Sequence, residues 1–167
     1  MRPRSHSRKP EKRAIFLLIL STAAESMNVL PNVEYLEDAR LFIWRPSGTL
    51  DEAAVNAVLV DLVRRESMAA VPFNRFSDLM DVESFHLTFK YVFHVALYRR
   101  LTWAGREPVK SAFFVTEQEA AHLVKIHALM TDYSPLRVEM FDDLETAAKW
   151  LDVPVEILTP KAGPTAL

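Results

Sequence analysis

The chain has 167 residues, 50% of them hydrophobic and 25% charged, with no cysteine, three glycines and a net charge of −2. This is the usage of one compact domain, long enough to bury roughly two-thirds of its unfolded surface without disulfides or a structural metal. The missing cysteines exclude a thiolate nucleophile, a zinc ribbon, an iron–sulfur cluster and a disulfide framework, and glycines at 48, 105 and 163 alone leave no glycine-rich phosphate loop.

The charge is unevenly spread. Residues 1–13 carry six Lys or Arg against Glu11, a local +5, so the rest of the chain stands at −7. An acidic body argues against nucleic acid as a partner, because that affinity comes largely from basic side chains that displace counterions from phosphates. After the basic stretch come Ala14-Ile15-Phe16-Leu17-Leu18-Ile19-Leu20 and the small residues Ser21, Thr22, Ala23 and Ala24. Basic, apolar, small is the layout of a secretory signal. A translation start at Met27 accounts for the same stretch as an extension. From Ala14 to Ala24 is eleven residues, short of the roughly twenty that a membrane span needs. Residues 1–31 are therefore set apart from a domain expected over 32–152, with 153–167 as a C-terminal tail expected to be loosely held from Glu156.

Val33-Glu34-Tyr35-Leu36 and Leu41-Phe42-Ile43-Trp44, joined by a short polar turn, predict an antiparallel hairpin. Thr49-Leu50-Asp51-Glu52 has the spacing of a capping box, and Val55, Val58, Leu59, Leu62 and Val63 give the helix behind it one apolar stripe. Residues 75–82 read as the next strand. Ser84 is placed to cap a long helix reaching Trp103, with apolar residues around most of its circumference. Residues 109–115 form a near-continuous apolar strand, as expected of a central parallel strand. Thr116 with Glu119, and Asp142 with Glu145, are expected to cap the two helices on either side of a last strand over 136–141. The order is ββαβαβαβα, an α/β fold in which a hairpin enters right-handed crossovers, giving a mixed sheet with helices on its faces.

On three stretches, Ser47-Gly48-Thr49-Leu50-Asp51, Phe76-Ser77-Asp78-Leu79-Met80-Asp81, and Val138 through Leu151, residues 32–152 resemble the SpoIIAA-like branch of the STAS family. The resemblance implies a bacterial, cytoplasmic, non-catalytic regulatory domain without cofactors, which docks on protein partners and in some members is switched by serine phosphorylation. Ser84 is the nearest match to the phosphoacceptor. The family's serine directly follows an aspartate, whereas Val82 and Glu83 separate Ser84 from Asp81 here. Gly48, Thr49, Asp81 and Ser84 are the expected partner contacts.

Other chemistry is thin. His86, Lys90 and His94 follow at four-residue steps and predict a polar stripe on the long helix, with Lys90 between the imidazoles where a metal would need a ligand. His122 and His127 are five apart and do not converge on one ion. Asp78, Asp81, Thr116 and Asp142-Asp143 stand in the wrong order for a receiver phosphorylation site, and no serine sits in a nucleophile elbow. The aromatic residues leave two readings open. Phe85, Phe89, Phe93 and Trp103, with Phe113 and Phe114, either enclose an apolar pocket for a hydrophobic small molecule or lipid, or form core and a protein interface. For a homodimer, Tyr91, Tyr98 and Trp103 are the expected contacts.

Overall fold

Runs of β-branched and aromatic residues between polar turns fold as strands, and apolar residues at helical spacing pack onto them. The computed structural model describes residues 30 and 32–160; the basic and apolar segment ahead of them lies outside the described residues. In chain order the elements are β1 (Val33–Leu36), β2 (Leu41–Trp44), β3 (Gly48–Asp51), α1 (Glu52–Met68), β4 (Asn74–Asp78) and β5 (Val82–His86). They continue as α2 (Phe89–Trp103), β6 (Val109–Phe114), α3 (Gln118–Thr131), β7 (Leu136–Phe141), α4 (Leu144–Leu151) and α5 (Val155–Leu158).

β1 and β2 form the expected hairpin, Val33 opposite Trp44 and Leu36 opposite Leu41. β2 pairs in parallel with β4, β4 with β6 and β6 with β7, so the main sheet runs β1-β2-β4-β6-β7. This is a mixed, mostly parallel sheet flanked by helices, the α/β class read from the sequence.

Side chains alternate across each strand, and here the two faces differ in kind. One face carries Leu41, Ile43, Phe76 and Ala112 and is sealed by Ala147, Ala148 and Leu151 of α4 with Leu158 of α5. Phe76, Leu41, Ile43 and Leu158 have no exposed surface. The opposite face carries Phe42, Trp44 and Phe113, but also the polar Arg75, Ser77 and Ser111, all three buried under α1, α2 and α3.

Three expectations are corrected. Thr49 and Ser84 do not cap helices: the segments around them are β3 and β5, which pair in parallel as a separate two-stranded sheet with Thr49 opposite Ser84. The strand expected over 75–82 accordingly ends at Asp78, and the chain turns before β5 begins. Once β3 holds the backbone extended to Asp51, Asp51 becomes the N-cap of α1, its Oδ1 accepting from the Ala54 amide at 2.8 Å. Thr88 caps α2 by accepting from the Tyr91 amide at 3.1 Å. The caps of α3 and α4 fall one residue later than expected, on Glu117 and Asp143. Finally, residues 155–158 of the expected tail are held in place, because α5 packs into the sealed face and the Arg45 guanidinium donates to the Leu158 carbonyl at 2.9 Å.

Candidate functional site

The helix-covered face lines a partly open cavity of about 140 Å³. Its wall is apolar on three sides: Val58 and Leu62 from α1, Val92 and Val95 from α2, and Leu123 and Val124 from α3, with Phe85 and Leu87 closing the β5 side. The floor is the polar part of the sheet, Arg75 and Ser77 of β4 and Ser111 of β6, joined by Arg99 of α2 and His127 of α3. No carboxylate is among the lining residues.

Behind the floor lies a buried charge cluster. Both oxygens of the Glu66 carboxylate are engaged by Arg99, Nη2 to Oε1 at 2.6 Å and Nη1 to Oε2 at 3.0 Å, while Arg75 Nη2 donates to the same Oε1. The three side chains retain only 3–6% of their exposure. Two guanidinium groups therefore share one carboxylate, leaving one net positive charge out of contact with water. The Arg75 guanidinium lies 4.9 Å from the centre of the Trp103 ring, whose negative face offsets part of that charge. The Nε and Nη1 of Arg75, a residue of the cavity lining, are buried and have no hydrogen-bond partner among the described residues.

Burial, reinforced by the Arg99 charge and opposed by Glu66, pulls the Arg75 pKa down to about 9. His127 is pulled down to about 4, first by burial and then by Arg99 and Arg75, so its imidazole is neutral at pH 7. It packs edge-on against Phe113, ring centres 5.9 Å apart.

The structure divides the residues singled out from the sequence. Gly48, Thr49, Asp81 and Ser84 do come together at the start of the small sheet: the Gly48 amide donates to the Asp81 carbonyl at 2.9 Å, and the Thr49 and Ser84 hydroxyls are 3.0 Å apart. Gly48 has φ +68°, a conformation that a side chain would strain. Ser84 is thus half-buried in a strand and hydrogen-bonded, away from any helix start. Of the aromatic set, Phe85 lines the cavity. Phe89 is 63% exposed and stacks on Phe93 along the outer side of α2. Trp103 is buried beneath the arginines rather than at a surface, which corrects its place as an interface residue. The stripe expected from His86, Lys90 and His94 is broken, because His86 belongs to β5 and only the other two ride on α2.

Glu66, Arg75 and Arg99 were not candidates, yet a signal was present. The buried residues of α2 are Val92, Ala96, Arg99 and Trp103, steps of four, three and four, so Arg99 occupies the inward stripe. Glu66 likewise follows Val58 and Leu62 at four-residue steps on α1. Charged residues at inward positions of two helices announce a buried pair.

No protein-family model and no curated protein matches the chain in sequence. A solved structure similar to it is an uncharacterized protein of the DUF3478 family from Shewanella loihica, described as having a SpoIIAA-like fold. The two share 13% identity with a TM-score of 0.47, over 77% of this chain and 99% of the other. The SpoIIAA-like fold read from the sequence is the fold described for that protein.

Proposed function

We propose that this domain is a non-catalytic binding module that holds a small hydrophobic molecule between the sheet and helices α1, α2 and α3. The observation that carries this reading is the cavity itself. Its 140 Å³ are lined chiefly by apolar side chains, surface that an apolar occupant would remove from water at roughly 25 cal/mol per Å². An engineered apolar cavity of about this size binds benzene. A ring or short branched chain therefore fits, and a long-chain lipid does not. Catalysis has little support: the imidazole on the wall is a weak base near pKa 4, and no carboxylate lines the space to orient it. Native mass spectrometry of the freshly purified full chain tests the reading. Extra mass that is lost on denaturation, and is missing from the cavity-filling variant Val58→Phe, is the expected result. Unliganded protein that is also indifferent to added small aromatics would overturn it.

A second reading, a STAS-like regulatory domain that works through a protein partner or as a homodimer, is favoured by a different observation. Phe89, Phe93, Leu97 and Leu101 form a ladder at four-residue steps along α2, and Phe89 and Leu101 are 63% and 67% exposed. Contiguous exposed apolar surface of this kind marks contact sites. Sedimentation of wild type against Leu101→Lys tests it: a concentration-dependent dimer lost in the variant supports the reading, and a monomer at all concentrations removes the homodimer.

A further inference from the structure

We propose that the ligand is a small organic acid, its apolar body in the cavity and its carboxylate on the free N–H groups of Arg75. This deepens the binding reading and rests on it. Three observations converge on the head group. First, the cluster is not neutral: Arg75 and Arg99 face the single carboxylate of Glu66, and the other titratable groups on the wall, His127 and Tyr91, carry no compensating negative charge at pH 7, the Tyr91 pKa being raised by burial and by Glu52 and Asp51. A cation held away from water without a counter-charge is costly, so the fold carries a standing penalty that one added negative charge would relieve.

Second, a residue of the lining carries unused donors. The Nε and Nη1 of Arg75 are the unsatisfied guanidinium nitrogens of the cluster, and Arg75 is itself a wall residue of the cavity. Buried N–H groups without partners are rare in folded proteins and call for an acceptor. Ser77 and Ser111, beside Arg75 on the same polar floor, supply hydroxyl groups for further hydrogen bonds. The lowered Arg75 pKa has the same origin, since burial and Arg99 together outweigh Glu66.

Third, size and charge select among anions. A volume near that of benzene admits a compact acid and excludes a nucleotide or a phospholipid. One uncompensated positive charge matches a carboxylate, which bears a single negative charge at pH 7, better than a phosphate monoester, which bears nearly two.

The test compares four probes of graded chemistry against the full chain at pH 7 and constant ionic strength: benzoate, benzyl alcohol, toluene and formate. Binding is followed by amide chemical shifts and by calorimetry. The expected result is benzoate bound at least about tenfold more tightly than benzyl alcohol or formate, because a charge-assisted hydrogen bond and an apolar body are both required. In Arg75→Met, which leaves Glu66 and Arg99 as a balanced pair, the preference for benzoate over benzyl alcohol should disappear. If that variant does not fold, the wild-type comparison decides alone. Equal or tighter binding of toluene and benzyl alcohol would overturn the organic-acid inference while leaving the hydrophobic cavity reading intact. Formate matching benzoate would show an anion site with no use for an apolar body, and would also overturn it. If no probe binds, both readings fall.

Discussion

Replacing Glu66 by Gln keeps the shape of the side chain and removes its charge. The amide oxygen in the Oε1 position can still accept from Arg75 and Arg99, but the amide nitrogen then points its hydrogens at Arg99 Nη1, a donor. Each guanidinium–carboxylate pair at about 4 Å is worth about 4 kcal/mol at an effective dielectric of 20, before desolvation and the repulsion between the two arginines are subtracted. Because the three side chains are almost fully buried, the net loss should be that of breaking a buried pair, about 3–5 kcal/mol. For a chain of this length that is a fall in Tm on the order of 10 °C. Arg99→Met is the informative companion, since it leaves Glu66 and Arg75 in one-to-one balance and should cost clearly less. Urea unfolding at pH 7, followed by tryptophan fluorescence and circular dichroism together, measures both. A Glu66→Gln loss under about 1 kcal/mol, or one smaller than that of Arg99→Met, would refute the argument from uncompensated buried charge.

Two further outcomes follow from the geometry. His127 has its folded pKa lowered from 6.5 to about 4, so the unfolded chain takes up this proton first as the pH falls. Stability should be full above pH 6.5 and decline towards pH 4 by about 3 kcal/mol through this group, and His127→Leu should flatten that part of the profile. Asp51→Ala should cost about 1 kcal/mol as the loss of a helix cap, while Ser84→Ala stays within about 0.5 kcal/mol. Urea titrations in which Ser84→Ala is the costlier of the two would restore the serine as a cap.

Much of the frame was readable in advance because its signals are periodic and local. The hairpin has two apolar runs and a short turn, and the parallel strands alternate with stretches of helical spacing. What failed was the choice between two uses of the same residues. Thr49-Leu50-Asp51-Glu52 satisfies the spacing of a capping box, and nothing within those four residues shows that Val82–His86 returns alongside them. Pairing with a partner some 35 positions away decides the matter, and it moves the cap to Asp51. The site was less legible still. Arg75 and Ser77 fall on one face of β4 by simple alternation, and Arg99 lies in the inward stripe of α2, but that three buried charges meet there depends on how helices and sheet are stacked. Cavity volume depends on the same stacking, which is why Phe85, on β5, lines it while Phe89 and Phe93, four and eight positions further on, stack along the outer side of α2.

The contrast between the two faces of the sheet separates what the protein must keep from what it can vary. Leu41, Ile43, Phe76 and Ala112, clamped by α4 and α5, anchor the architecture, and a single lost methylene there is felt at once. Across the same strands, if the hollow holds the proposed small molecule, exchange of one aliphatic wall residue for another should cost less than in the sealed face, because the occupant takes up the difference in volume. On that reading a chain of this kind can change what it recognises while keeping its scaffold.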